Sequence, residues 1–150
     1  MSEQAENLSL REITKETIKS ILALKVAEDQ EDLVGDDGNS LGQALFEEKA
    51  WYRGIYAGDD PVGFMMLSID REKPEFYLWR FMIDAAHQKK GYGKRSMELL
   101  IEEVRAQPEA KELTLHVMDL PHSAVPFYEV LGFQLTGEKD EDELVMSLPL

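Results

Sequence analysis

The sequence predicts an α/β chain (α+β, mixed sheet) with elements in the order β-αα-βββ-α-β-α-ββ. Three observations predict it. A hydrophobic run over residues 76–83 is followed by a turn containing Gly91 and Gly93, then by the helical spacing Met97, Leu99, Leu100, Ile101, Val104. A further strand pattern lies at 112–118, and a strand–helix–strand step implies a right-handed parallel crossover. The flanking strands are joined by short turns such as 58–61, so they pair as antiparallel hairpins and the sheet is mixed.

Taken in order, residues 8–13 alternate weakly and read as a first strand. Thr14 can cap a helix over about 15–28, with Thr17 in place of glutamate at the capping-box position. Ile18, Ile21, Leu22 and Leu24 supply its apolar stripe. Residues 28–37 hold six carboxylates in ten positions and end in a loop with Gly35, Gly38 and Asn39. Ser40 caps a second helix over 41–50, with Leu41, Ala44, Leu45 and Phe46 on its apolar face. Residues 51–57 and 62–69 form a hairpin, and 70–74 is another turn. The strand 76–83 is apolar on both faces except at Arg80, as a central strand covered on both sides should be. The helix over 91–107 stops before Pro108, and Gly132 stops a short helix over 121–131. Strands 133–137 and 144–148 are joined by the acidic turn 138–143.

The 150 residues suit a single domain with a sizeable core. Cysteine is absent, which excludes disulfides and thiolate metal sites. No apolar stretch approaches membrane-spanning length, and the acidic start Met1-Ser-Glu-Gln-Ala-Glu6 is unlike a secretory signal, so a soluble cytoplasmic protein is expected. Thirty acidic residues against sixteen basic give a net charge of −14, which repels nucleic acid and anionic membrane and attracts cations. Ordinary solubility or salt adaptation accounts for the same balance. His87, His116 and His122 lack metal-ligand spacing, so no metal is expected.

The turn carries the chemistry. Two glycines let backbone N–H groups point into a concavity, the helix adds its positive end, and Lys89, Lys90, Lys94 and Arg95 surround it: a phosphate cradle, with a plain helix cap as the alternative. It is not a P-loop, because position 88 is Gln and Arg95 separates Lys94 from Ser96. It is not a dinucleotide fingerprint, because position 96 is Ser. The pattern Gln88-x-x-Gly91-x-Gly93 resembles the acetyl-CoA loop of the GNAT superfamily of N-acyltransferases. Ala124-x-x-x-Tyr128-x-x-x-Gly132-Phe133 is similar to the superfamily's second signature, at the expected separation and on the expected element. The element order matches that fold over nearly the whole chain.

The resemblance implies a splayed central pair of parallel strands. It implies that Phe81 and Ile83, with Met82 between them, meet the pantetheine arm and thioester. It also implies that the pyrophosphate sits on Gln88, Lys89, Lys90, Gly91, Tyr92, Gly93 and Lys94, and that Tyr128 is the general acid at the thioester sulfur. A buried structural tyrosine is the alternative for Tyr128. Two departures stand out. Pro121 occupies a position where many members carry an asparagine, a contact that His122 or Ser123 would have to replace. Trp79 occupies a position where some polyamine-acetylating members carry a glutamate base, so no base transfers by motif. The chain looks most like the diamine/spermidine branch, in which the first two helices and their loop line the acceptor groove. Glu28, Glu31 and Asp32, with Trp79, are the acceptor candidates, and a solvated acidic face is their alternative reading.

The chemistry constrains these roles. An alkyl ammonium near pKa 10.4 must lose a proton before attack, about 4–5 kcal/mol at pH 7. A base or a wired water must take it. A phenol near 10 giving its proton fully to a thiolate near 8.5 is uphill by about 2 kcal/mol, so Tyr128 acts as hydrogen-bond donor or relay. His116 is a candidate base or a structural histidine, and Arg80 is expected in a structural ion pair. A polyamine acceptor competes with an aminoglycoside or protein amino group, and with a silent acyl-CoA-binding module. A homodimer is expected from the resemblance alone.

Overall fold

The computed structural model describes residues 7–24, 42, 44, 46–88 and 90–150. Its elements are β1 (Leu8–Arg11), α1 (Ile18–Leu22), β2 (Ala50–Ala57), β3 (Asp60–Asp70), β4 (Glu75–Ile83), a 3-10 turn (Ala85–His87), α2 (Tyr92–Arg105), β5 (Glu112–Met118), α3 (Val125–Val130), β6 (Gln134–Asp140) and β7 (Glu143–Pro149). The seven strands form one sheet in the order β1-β2-β3-β4-β5-β7-β6. Every neighbouring pair is antiparallel except β4 and β5. That one parallel pair is the strand–helix–strand step, because parallel neighbours require a crossover and α2 supplies it.

Each face of the sheet has its own core. On one face α2 buries Met97, Leu100, Ile101 and Val104 against Met65, Leu67, Leu78, Leu113, Leu115 and Met146. On the other, Ile21 of α1 packs with Tyr56, Phe64, Met66 and Met82. Among the described residues the second core contains none from β5, β6 or β7, and α1 packs over β2, β3 and β4. β4 is fourth of seven and contributes to both cores, which is why its sequence is apolar in both phases.

Several boundaries differ from the expectations. α1 ends at Leu22, and the rest of the helix expected over 15–28, from 25 on, lies outside the described residues. Thr14 as the cap is corrected: the helix begins after Thr17, whose Oγ1 accepts the Thr14 N–H at 2.9 Å within the turn before it. Phe46 is corrected. It is 91% exposed, while Ala44 packs on the second core. At about 100° per residue, two positions turn the side chain to the opposite side, so the two cannot share a helix face. Ala50, expected as the end of that helix, begins β2. The acidic turn over 138–143 is also corrected: β6 continues to Asp140 and only Glu141 and Asp142 turn. The ladder absorbs the extra length by a register shift between Leu135 and Lys139, around Gly137 at φ +89. β6 is exposed along its whole length, and its charges protect the sheet edge from pairing.

Gly63 holds β3 close to β4. A Cβ there would stand 2.5 Å from the Met82 carbonyl oxygen, a backbone atom that cannot rotate away. Gly63→Ala is expected to cost on the order of 1–3 kcal/mol, as other overpacking does, read as a lower urea midpoint at unchanged slope. An unchanged midpoint would show that the two strands separate without cost.

Candidate active site

The site begins where two strands part. β4 and β5 pair only at Phe76–Leu113, Tyr77–Thr114 and Leu78–Leu115. Beyond Leu78, β4 continues to Ile83 along β3, and β5 turns to β7. A bulge lies at the fork: Met66 faces Arg80 and Leu67 faces Leu78, leaving Trp79 as the extra residue. The extra residue inverts the alternation of side chains. Phe76 and Leu78 belong to the α2 core, and past the bulge it is Phe81 and Ile83 that pack there, while Met82 joins the other core.

The same register aims the main chain. Asp84 N–H donates to Val62 O at 2.7 Å, which makes Gly63–Ile83 a non-hydrogen-bonded pair and Phe64–Met82 a hydrogen-bonded one. The peptide groups of Phe81 and Ile83 therefore turn away from β3, into the gap left by β5. Met82 differs from its neighbours: its side chain is buried and its main chain is engaged with β3. The Ile83 carbonyl accepts the Gln88 side-chain amide at 3.0 Å, so Gln88 ties the loop to the end of the strand.

The loop then turns through Gly91, at φ +81, into α2. The first helical bond runs from Arg95 N–H to Gly91 O at 3.2 Å, so the N–H groups of residues 92–94 precede it, at the helix's positive end. A Cβ on Gly93 would come to 3.4 Å from the Phe127 ring, ordinary contact on the protein side. Tyr92 is buried beneath this turn, with the Lys90 ammonium 5.9 Å from its ring centre and His87 stacked at 6.4 Å. Arg95 pairs with Glu98 at 3.5 Å, Lys94 is exposed, and Lys89 lies outside the described residues. Strand gap, outward main chain and helix start together suit an extended arm ending in phosphates.

α3 brings Tyr128 to the α2 side of the gap. Phe81 stacks on Phe127 with centres 6.2 Å apart, and Tyr128 meets Phe127 and Phe133 edge-on at 5.0 and 5.6 Å. Gly132 at φ +103 lets the chain leave α3 so that Phe133 N–H reaches the Tyr128 carbonyl at 3.1 Å. Tyr128 is 8% exposed, and among the described residues its hydroxyl has no hydrogen-bond partner. Burial pushes this phenol well above the ordinary tyrosine range, so it stays protonated. Ser123, a possible replacement for the missing asparagine, instead accepts Val125 N–H at 3.4 Å.

The other candidates divide. Glu28, Glu31 and Asp32 lie outside the described residues. Trp79 packs against the second core with the Arg80 guanidinium 5.9 Å from its ring. The expected ion pair of Arg80 is not there: among the described residues it donates only to the Trp79 carbonyl at 2.9 Å, and its buried Nε has no partner. His116 stands between ring and charge: Tyr77 meets it edge-on at 5.1 Å, and its Nδ1 lies 3.6 Å from Glu143 and 3.9 Å from Asp140. Tyr77, Asp140 and Glu143 were not singled out from the sequence. The available signal was the pairing of β4 with β5, which places position 77 next to position 116.

The acetyltransferase (GNAT) family model matches residues 14–133, and the chain belongs to that family. It is an acetyl-CoA-dependent N-acetyltransferase. The chain is similar to the spermine/spermidine N(1)-acetyltransferase of Bacillus subtilis, 28% identical over 142 residues covering 89% of this chain and 92% of that one. It is also similar to the peptidyl-lysine N-acetyltransferase YjaB of Escherichia coli, 30% identical over 110 residues, 73% of this chain and 67% of that one. In fold it resembles a chimera of the Vibrio cholerae spermidine N-acetyltransferase SpeG and hSSAT, with TM-score 0.74 at 18% identity over 95% of each chain.

Gly91→Ala places a side chain at φ +81, a strain of about 1–2 kcal/mol in the turn itself. It is expected to weaken acetyl-CoA binding at least about tenfold by calorimetry. Gly137→Ala carries similar strain at φ +89 on the exposed edge strand and is expected to leave the affinity unchanged. Equal affinities for the two variants would remove the turn from the cofactor site.

Proposed function

We propose that this N-acetyltransferase acetylates a primary amine of a small polycation, spermidine, spermine or a diamine, by direct attack of the amine on acetyl-CoA. The observation that carries the choice of acceptor is the similarity to a spermine/spermidine enzyme along nearly the full length of both chains. The net charge of −14 supports it, because a polyamine keeps one cationic group for electrostatic recognition while another reacts. Glu28, Glu31, Asp32 and Trp79 are the acceptor contacts in this reading. The E. coli relative supports a second reading, a lysine side chain of a protein, which is also a primary alkyl amine. The reading takes the protein as a cytoplasmic homodimer.

In this reading the main-chain groups of Phe81 and Ile83 hold the pantetheine arm and the thioester carbonyl. Gln88, Lys89, Lys90, Gly91, Tyr92, Gly93 and Lys94 hold the pyrophosphate, and Met82 supports the strand from behind. Tyr128 donates a hydrogen bond to the departing sulfur. A neutral buried phenol suits that role, because it stabilises developing thiolate charge without itself being charged.

Thiol release from acetyl-CoA is to be measured with spermidine, spermine, putrescine, an aminoglycoside and a lysine-containing peptide. A kcat/KM for a polyamine at least about tenfold above the others is expected, which is about 1.4 kcal/mol of transition-state preference. A preference for the peptide would replace the reading with the second one, and acetyl-CoA binding without thiol release would indicate a silent module. Tyr128→Phe is expected to lower kcat about a hundredfold with the Kd for acetyl-CoA unchanged. Because burial raises the phenol, the proton remains in place above the ordinary tyrosine range, so no basic limb from Tyr128 is expected below about pH 10. An unchanged kcat in the variant would end the acid role.

A further inference from the structure

The reaction requires a group that removes a proton from the acceptor, and the motif position for one is Trp79. We propose that His116, oriented by Glu143, takes the ammonium proton of the acceptor, directly or through one water. The proposal rests on N-acetyltransferase chemistry and not on which amine is the acceptor.

Position is the first argument. The last β4–β5 pair is Leu78–Leu115, so His116 is the first residue of β5 beyond the fork. Leu115 and Val117 belong to the α2 core, and alternation puts His116 on the opposite face. Among the described residues no residue of β5 takes part in the core that α1 makes there, and the His116 side chain is 24% exposed. Tyr128 lies on the α2 face. An amine arriving on the His116 face and a sulfur departing toward Tyr128 are thus on opposite sides of a carbonyl held in the gap.

The surroundings are the second argument. From β7 Glu143 stands at 3.6 Å and from β6 Asp140 at 3.9 Å, both on Nδ1. From β4 the Tyr77 ring packs edge-on, with Arg80 farther along within electrostatic reach of Tyr77. Two carboxylates on one side favour the Nδ1–H tautomer and leave the Nε2 lone pair for the incoming proton. Neither carboxylate need touch the amine itself, where it would hold the ammonium and oppose proton loss. Burial first and Glu143 second raise the Tyr77 phenol, Arg80 opposes them and Asp140 adds least, so Tyr77 stays neutral and adds no charge of its own. The protons balance. One passes from R–NH3+ to Nε2 and on to solvent, and the nitrogen lone pair forms the N–C bond. The C–S bond breaks with its electrons on sulfur, and the second nitrogen proton ends on that sulfur by way of the Tyr128 side. The products are the amide, the thiol and one proton.

The tautomer is measured without any acceptor. A long-range 15N–1H correlation spectrum of the acetyl-CoA complex near pH 8 is expected to show His116 protonated at Nδ1, its signal assigned by loss in His116→Gln. Protonation at Nε2 would overturn the proposal. In kinetics with spermidine and with a lysine-containing peptide, His116→Ala is expected to lose about a hundredfold or more in kcat, within the usual range for a general base. The Kd for acetyl-CoA should stay within about twofold of wild type, and added imidazole should restore part of the rate. Glu143→Gln should lower kcat with the Kd for acetyl-CoA unchanged and should move part of the His116 proton from Nδ1 to Nε2 in the same spectrum, which a merely structural pair would not do. A kcat for His116→Ala within about threefold of wild type would overturn the base role. Wild-type turnover of neither acceptor would count against the acceptor readings, while the tautomer still decides the histidine.

Discussion

The parting of β4 from β5 after Leu78 and Leu115 is the constraint on which the rest of the site depends. A paired parallel strand would consume the main-chain groups of Phe81 and Ile83, and the sheet would close over the gap between β4 and β5. Two local features keep the fork open. The bulge at Trp79 changes the phase of β4 at the fork, and antiparallel pairing with β7 draws β5 away on its other side. The strand pair that stays joined is only three residues long, yet it sits in the middle of the larger core and is braced by α2. Irregular backbone is tolerated here because regular ladders and packed side chains surround it.

The two faces of the sheet then take different tasks. The α2 face is closed. Leu100, Leu113 and Met146 are fully buried, and an aromatic chain from Phe81 through Phe127 to Tyr128 and Phe133 carries this apolar packing up to the gap. Its low polarity is what raises Tyr128 and leaves it a neutral donor. On the other face, among the described residues, α1 packs over β2, β3 and β4, and Tyr77, His116 and Glu143 gather beyond it. A protonated group on the dry side and a histidine among carboxylates on the wet side have environments suited to opposite proton transfers.

Much of this was legible in the sequence because it rests on periodicity and glycine chemistry. Strand β5 was read at its observed bounds, and the crossover, the central place of the strand 76–83 and a glycine turn opening the helix followed from residue type and spacing, although Gly93 lies inside the helix and only Gly91 turns. The failures have physical causes. A bulge leaves no mark in a run of apolar residues, so the phase change at Trp79 was hidden, and with it the absence, among the described residues, of an ion pair for Arg80 and the withdrawal of Met82 into the second core. The charges of residues 138–143 suggested a turn, whereas an exposed edge strand carries charges equally well. Tyr77, His116 and Glu143 meet across three strands, a contact set by sheet order and not by local pattern.

The central claim is that the open fork of β4 receives the acetyl-CoA arm through its outward-facing main chain. It is tested most directly by titrating acetyl-CoA into 15N-labelled protein and following individual amide signals. The account predicts large shifts at Phe81, at Ile83 and across residues 91–94, with Met82 little changed because its amide is committed to Phe64. Shifts confined to the exposed surface, or a Met82 amide moving as much as its two neighbours, would contradict it.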